Sequence, residues 1–196
     1  FSAFGGSCQD DAGHGTHVAG IVAARNNAVD VIGVAPSAQL YCVKVMDSTG
    51  KGSDATVMAG LDWVLSHHAS VQPSVRVVNM SLGRPGSVDD NPALHQLIQS
   101  LESVGVAVVV SAGNEPNMEV SQRVPAAYAE VIAVASTTAL AGSNQCRSLA
   151  AIANDTASAF TTDGPGVTVS APGEDAENLS RACLIDSVGI LSTRLG

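Results

Sequence analysis

Five short apolar runs interleave with three stretches of helical periodicity, and this order constrains the fold more than any other feature of the chain. The runs at residues 40–45, 75–80, 106–111, 131–135 and 167–170 are rich in Val, Ile, Leu and Ala and read as strands. Residues 14–25, 53–68 and 91–103 carry the 3.6-residue period of amphipathic helices. The second of these opens on Ser53-Asp54, a helix cap, and sets Val57, Leu61, Val64 and Leu65 on one face. Strand, helix, strand in repetition predicts right-handed crossovers. The expected fold is therefore α/β, a mostly parallel twisted sheet with helices on both faces. In such sheets, sites gather at the carboxyl ends of the strands.

At 196 residues the chain is long enough for one sizeable core, so a single domain over 1–196 is expected. No repeat, low-complexity segment or linker divides it. Hydrophobic residues make up 45% but aromatics only 3%, and this Ala- and Val-rich interior suits close helix-on-sheet packing. Acidic residues outnumber basic ones 18 to 9, giving a net charge of -9. That excludes a nucleic-acid partner, whose phosphates demand a basic face. The longest apolar stretch, residues 104–110, falls far short of the roughly 20 residues that cross a bilayer, so no membrane partner is expected. Residues 1–6 have neither the basic nor the long apolar region of a secretory leader. There is no initiator methionine, and the chain reads as cut from something longer.

Cys8, Cys42, Cys146 and Cys183 allow two disulfides in three connectivities, or buried free thiols. They show no C-x-x-C pair and no zinc-ligand spacing. Cys146 with Cys183 is the favoured pairing, because both lie in polar, loop-like stretches.

Three segments carry chemistry. An acidic turn containing Asp10, Asp11 and Gly13 leads into His14-Gly-Thr-His-Val-Ala-Gly-Ile-Val-Ala-Ala24, which sets an imidazole at the mouth of an apolar helix. A rigid element that presents His14 into a cleft suits a general base. The plainer alternative is that His14 caps the helix and His17 fills a gap in the core. Next, Val106-Ala-Val-Val-Val-Ser-Ala-Gly-Asn114 is a buried strand that runs into a small-residue turn. An amide NH2 delivered there can donate to a developing oxyanion, and Gly113 lets a substrate backbone approach closely. Asn114 could instead supply a left-handed turn residue. Third, Val77-Val-Asn-Met-Ser-Leu-Gly83 ends a strand with exposed backbone that can pair with an extended peptide. Gly50 and Gly52 clear similar room around Lys51, itself read as a solvated surface residue.

These segments, in this order, resemble the catalytic domain of subtilisin-like serine peptidases. The resemblance implies that His14 is the general base and Asn114 the oxyanion donor. It implies that Gly50, Lys51 and Gly52 form one wall of a peptide cleft and Ser81, Leu82 and Gly83 the other, with Ser111, Ala112 and Gly113 along the substrate. Residues 26–36 resemble a loop that wraps a structural Ca2+ in many such enzymes. By position the ligands would be Asn27 Oδ1 and the carbonyls of Val29 and Val31, since calcium takes six to eight oxygens. Phe160-Thr-Thr-Asp-Gly-Pro-Gly-Val-Thr-Val-Ser-Ala-Pro-Gly173 resembles the strand-turn before the nucleophile, and its Ala-Pro-Gly is expected to end that strand.

Two parts of the family pattern are missing. The triad follows the order Asp, His, Ser along such chains. Asp10 and Asp11 stand too close to His14 to be the aspartate, and Gly-Thr-Ser-Met-Ala occurs nowhere. Ser192 lies in the wrong context to replace the nucleophile. The implied function is therefore part of a serine-type endopeptidase domain acting on protein or peptide substrates, truncated at both ends, inactive alone and marginally stable in isolation. The family implies secretion to the extracellular space and a monomer when complete. The alternative is a non-catalytic subtilase-like module that binds extended peptides. A metal hydrolase built on His14 and His17 lacks both a third ligand and the H-E-x-x-H pattern.

Overall fold

The computed structural model describes residues 1–195. In chain order the elements are α1 (His14–Ala23), α2 (Asp54–His67), β1 (Val77–Met80), β2 (Arg84–Pro85), α3 (Pro92–Ser103) and β3 (Ala107–Ser111). There follow β4 (Arg123–Val124), β5 (Ile132–Thr138), β6 (Val169–Glu174), β7 (Ala176–Leu179) and β8 (Ile185–Val188). The fold is α/β, with its main sheet parallel. That sheet has four strands in the order β1-β3-β5-β6, with Met80 opposite Val110, Ser111 opposite Val134 and Ala135 opposite Ser170. β2 with β4 and β7 with β8 form two small antiparallel pairs.

Two compact units make up the chain. The first comprises Phe1–Arg76, Gln96–Val106 and the segment from Leu191; the second comprises Val77–His95 and Ala107–Ile190.

In the first unit, α1 is anchored at its C-terminal end by the loop that follows it. The N–H groups of Gly33, Val34 and Ala35 donate to the carbonyls of Ala24, Ile21 and Val22 at 2.9, 2.9 and 2.8 Å. Those bonds satisfy carbonyls that a helix end leaves open, and α1 stops at Ala23 rather than reaching Arg25. A Cβ on Gly33 would lie 2.5 Å from the backbone nitrogens of Ala23 and Ala24, so only glycine permits this return. α2 starts on a capping box. Ser53 Oγ accepts from Thr56 N–H at 3.2 Å, and Thr56 Oγ1 accepts from Ser53 N–H at 2.9 Å. Its predicted face holds, with Leu61 and Val64 buried. Gly60 lets the helix sit against Val43 and Val45, whose Cγ1 atoms would stand 2.9 and 2.6 Å from an added Cβ.

The expected strand at 40–45 does not form. Those residues make only an isolated parallel bridge, Lys44 with Ser2, through Ala3 N–H to Lys44 O and Lys44 N–H to Phe1 O. The chain turns away directly after Ser2, with Gly5 N–H donating to Ser2 O at 3.2 Å, so the bridge does not extend into a ladder. Cys42 lies here, its Sγ donating to the Cys8 carbonyl at 3.0 Å. Burial, with the neighbouring Cys8 thiol, pushes the Cys42 thiol up to about 11. Both thiols are free.

In the second unit, β3 alternates. Val108 and Val110 are buried and Val109 is only half-buried, so one face is fully covered rather than both as expected. Each such buried aliphatic contributes about 1.5–3 kcal/mol. β5 and β6 run further than expected. β6 continues through Ala171, Pro172 and Gly173, correcting the expectation that this tripeptide ends the strand. The reason is its position: β6 is a sheet edge, where the missing proline N–H leaves no ladder partner unsatisfied. Register shifts between Thr137 and Thr138, opposite Pro172 and Glu174, and Gly173 has no room for a Cβ over Ser136. At the end of β6 and in β7 the chain buries two carboxyl groups, Glu174 and Glu177. Glu174 accepts from the Ser187 hydroxyl, and Glu177 Oε1 accepts from Ala159 N–H at 2.6 Å. Burial raises the Glu177 carboxyl above its ordinary range, and neighbouring Glu174 adds to the shift.

Cys146 and Cys183 form a disulfide with an S–S length of 2.05 Å, the pairing favoured from sequence. It joins the loop after β5 to the tip of the β7–β8 hairpin, an element the periodicity did not reveal.

Candidate active site

His14 is the first residue of α1, in the first unit, and its side chain is exposed. The preceding Gly13 has φ 93°, a left-handed turn that favours glycine, and offers no side-chain cap. The cap comes from Asp10. Its Oδ1 accepts from Ala12 N–H at 3.0 Å and Gly13 N–H at 2.9 Å, while Oδ2 accepts from Thr16 N–H and Thr16 Oγ1–H, both at 2.7 Å. Partial burial raises the Asp10 carboxyl, but the bonds from Thr16, Gly13 and Ala12 outweigh it and hold the group well below the usual carboxylate range. The acidic residue that sequence reasoning set aside as a triad member thus positions the helix that presents His14. His17 is exposed, so it fills no gap in the core.

The other end of the first unit locks onto the same helix. Ser192 Oγ donates to His17 O at 2.6 Å and Thr193 Oγ1 donates to Thr16 O at 2.7 Å. Gly20 accommodates this contact, since a Cβ there would collide with both hydroxyl oxygens. Ser192 is a docking residue, its proton committed to a backbone carbonyl.

Because the Asp10 carboxyl is depressed by folding, its contribution is complete above its ordinary value of 3.8 and is lost as pH falls below that value. Asp10→Asn keeps one acceptor and removes the charge. The variant is expected to lose about 1 kcal/mol of stability at neutral pH and to show a shallower decline on acidification. Thermal unfolding midpoints measured from pH 7 down to pH 2 test this; superimposable curves would refute the assignment.

Gly50, Lys51 and Gly52 also belong to the first unit. Asp47 builds their turn, its Oδ1 accepting from Thr49 N–H, Thr49 Oγ1–H and Lys51 N–H at 2.8, 2.7 and 3.2 Å. The Thr49 bonds come first among the causes that lower the Asp47 carboxyl. Gly50 has φ 74°, and a Cβ on Gly52 would stand 2.6 Å from Val45 O, so both glycines answer to backbone geometry.

Asn27 Oδ1 accepts from Val29 N–H at 3.1 Å in an exposed turn, flanked by positive φ at Ala28 and Asp30. Its oxygen and the carbonyls of Val29 and Val31 are of the donor type calcium prefers, but three fall short of six to eight. Among the described residues no group of three or more His, Cys, Asp or Glu side chains is placed to hold a metal.

The second unit brings the remaining candidates together. Ser81, Leu82 and Gly83 leave the carboxyl end of β1, and Ser111, Ala112, Gly113 and Asn114 leave that of its parallel neighbour β3. Asn79 Nδ2 donates to Ser81 Oγ at 3.0 Å. Gly83 passes Val124 O so closely that a Cβ would be 3.2 Å away. Asn114 is exposed, and the left-handed turn falls on Gly113 at φ 126°, not on the asparagine. The alternative of Asn114 as a turn residue therefore fails.

Three residues to which the sequence reading gave no role hold this turn. Thr162 N–H donates to Gly113 O at 3.0 Å, and Thr162 Oγ1 accepts from Glu115 N–H at 3.0 Å. Glu115 Oε2 accepts from Asn114 N–H at 3.0 Å, and its Oε1 lies 3.0 Å from the guanidinium of Arg123, which is only 6% exposed. That ion pair lies off the hydrogen-bonding direction. A Cβ on Gly113 would meet all three side chains at 2.7–2.9 Å. The carboxamide thus stands on a turn held by a buried cation, a carboxylate and a hydroxyl.

The profile of the Subtilase family matches residues 5–194. The chain belongs to the subtilase family. Among similar proteins are the thermostable alkaline protease of Halalkalibacterium halodurans, 38% identical over 85% of this subtilase chain and 39% of that protein, and Subtilisin Savinase of Lederbergia lenta, 37% identical over 88% and 55%. Subtilisin NAT of Bacillus subtilis subsp. natto is 39% identical over 82% and 39%. The crystal structure of a cold adapted subtilisin-like serine proteinase superposes with a TM-score of 0.62 at 29% identity, over 92% of this subtilase chain and 56% of that one. The chain spans about two-fifths to just over half the length of these relatives.

Proposed function

We propose that these residues are part of a serine endopeptidase in which His14 is the general base and Asn114 the oxyanion donor. The observation that carries this reading is an exposed imidazole at the first position of a helix tied down by Asp10, within a subtilase match spanning residues 5–194. A serine hydroxyl outside the residues assigned here attacks the peptide carbonyl while His14 takes its proton. The Asn114 amide donates to the tetrahedral oxyanion, and His14 then returns the proton to the leaving amine. Substrates are proteins or peptides, held in extended form, and Gly50, Lys51 and Gly52 as well as Ser81, Leu82 and Gly83 are the segments whose backbone would pair with them. Backbone pairing of this kind gives affinity with little sequence reading. The relatives named as extracellular or alkaline proteases support a secreted setting, and we take the complete protein to act as a monomer. A structural Ca2+ at Asn27, Val29 and Val31 belongs to the same reading. It would steady an exposed loop and take no part in the chemistry, and further oxygens would complete its shell.

The test is covalent. In the full-length protein, a fluorophosphonate is expected to label a single serine, and a peptide substrate is expected to protect it. Peptide binding with no labelling would replace the peptidase with a non-catalytic peptide-binding module.

A further inference from the structure

In a chain of net charge -9, two of the nine basic residues line one open cavity of about 850 Å³ in the second unit. Arg147 and Arg181 share it with Gln145, Ser148 and Cys183, and no carboxylate is among the lining residues. Neither arginine has an ion pair or hydrogen bond to any described residue, whereas Arg84 and Arg123 pair with Asp90 and Glu115. Two guanidinium groups facing one cavity repel each other, and the surrounding acidity makes their lack of a carboxylate partner more telling.

The backbone that carries them is well fastened. Arg147 follows Cys146 directly, and Arg181 lies two residues before Cys183. The disulfide holds the two cysteine Cα atoms 4.9 Å apart. Ser148 Oγ lies 3.3 Å from Cys146 Sγ and 3.4 Å from Cys183 Sγ. Gln145 N–H donates to Leu179 O and Leu179 N–H to Ser143 O, each at 2.8 Å, while Ser143 N–H and Oγ–H both donate to Asn178 Oδ1. At the hairpin tip, Cys183 N–H donates to Ser180 O at 2.9 Å. Only the side chains remain to be ordered by a ligand, which lowers the entropic cost of binding.

We propose that Arg147 and Arg181, clamped together by the Cys146–Cys183 disulfide, form a binding site for anionic oxygen ligands. Guanidinium forks match carboxylate and phosphate geometry, and Ser148 and Gln145 add neutral donors at the rim. The ligand is either the carboxylates of an acidic peptide or a free oxyanion. The cavity is open to solvent and presents two separate cations, which favours a chain bearing several carboxylates over a single ion. The site is independent of His14 and Asn114 and stands whether or not the chain takes part in proteolysis.

Titration calorimetry at constant ionic strength, set with sodium chloride, tests it with two probes, tetraglutamate and inorganic phosphate. At least one is expected to bind saturably. Arg147→Gln and Arg181→Gln should each weaken it about tenfold, and the double variant about a hundredfold. Both side chains are exposed, so the variants keep the parent's circular dichroism spectrum. Binding of tetraglutamate alone identifies an acidic-peptide site; binding of phosphate alone identifies a free-oxyanion site. If neither probe binds, or if the double variant binds as the parent does, the proposal is wrong.

Discussion

His14→Ala, introduced into the complete protein, is expected to lower kcat by about a million-fold, the scale known for loss of subtilisin's own triad histidine. The size follows from the role. Without an imidazole to accept its proton, a serine hydroxyl remains a weak nucleophile, and the leaving amine departs without a proton donor. Stability should barely change, because the site is an exposed first turn. The capping bonds of Asp10 run to the backbones of residues 12, 13 and 16 and to the Thr16 hydroxyl, and the substitution leaves every one of them in place. Alanine is also the residue a helix tolerates best. Peptide hydrolysis is therefore expected to vanish while the unfolding midpoint stays within about 2 °C, a shift of under 1 kcal/mol. Unchanged hydrolysis would remove His14 from the chemistry, whereas a large fall in the midpoint would recast it as a structural residue.

Asp10→Asn provides the contrast. It disturbs the same helix end through its cap and should lower stability first, with acid dependence as its signature. Together the two variants separate presenting the imidazole from being the imidazole.

What could be read in advance was local. α2 announced itself through Ser53 and the Leu61–Val64 face, and β1, β3, β5 and the start of β6 through Val-rich runs whose partners the crossover rule supplies. Residues 40–45 are a short apolar run such as buried strands show, yet form none, since strand formation depends on what lies alongside. Pro172 misled for a related reason: a proline ends a central strand but not an edge strand, and edge position is a property of the sheet. The candidate site shows the same limit. His14 and Asn114 stand out within their own short segments. Thr162 acts on Glu115 from 47 residues away, and Arg123 reaches Glu115 only through the fold. The one available hint was a lone arginine directly before the apolar run 124–128, an expensive placement if buried unless a carboxylate meets it.

That support decides how a change at Asn114 should be read. Asn114→Ala is expected to lower kcat by about 100- to 1000-fold, the range known for subtilisin's oxyanion asparagine, while KM stays within about twofold. An amide donor aimed at developing charge matters in the transition state and little in the ground state, so its loss should appear in turnover. The turn should survive. Its left-handed residue is Gly113, its backbone bonds run to Thr162 and Glu115, and the Asn114 contribution to them is a main-chain N–H that alanine retains. Asn114→Asp sharpens the test, because it keeps the shape, lacks the donor and brings a negative charge toward the oxyanion. It should be at least as slow as alanine. If the loss instead falls on KM with kcat intact, the carboxamide binds substrate rather than the oxyanion, and the catalytic role assigned to this strand end is wrong.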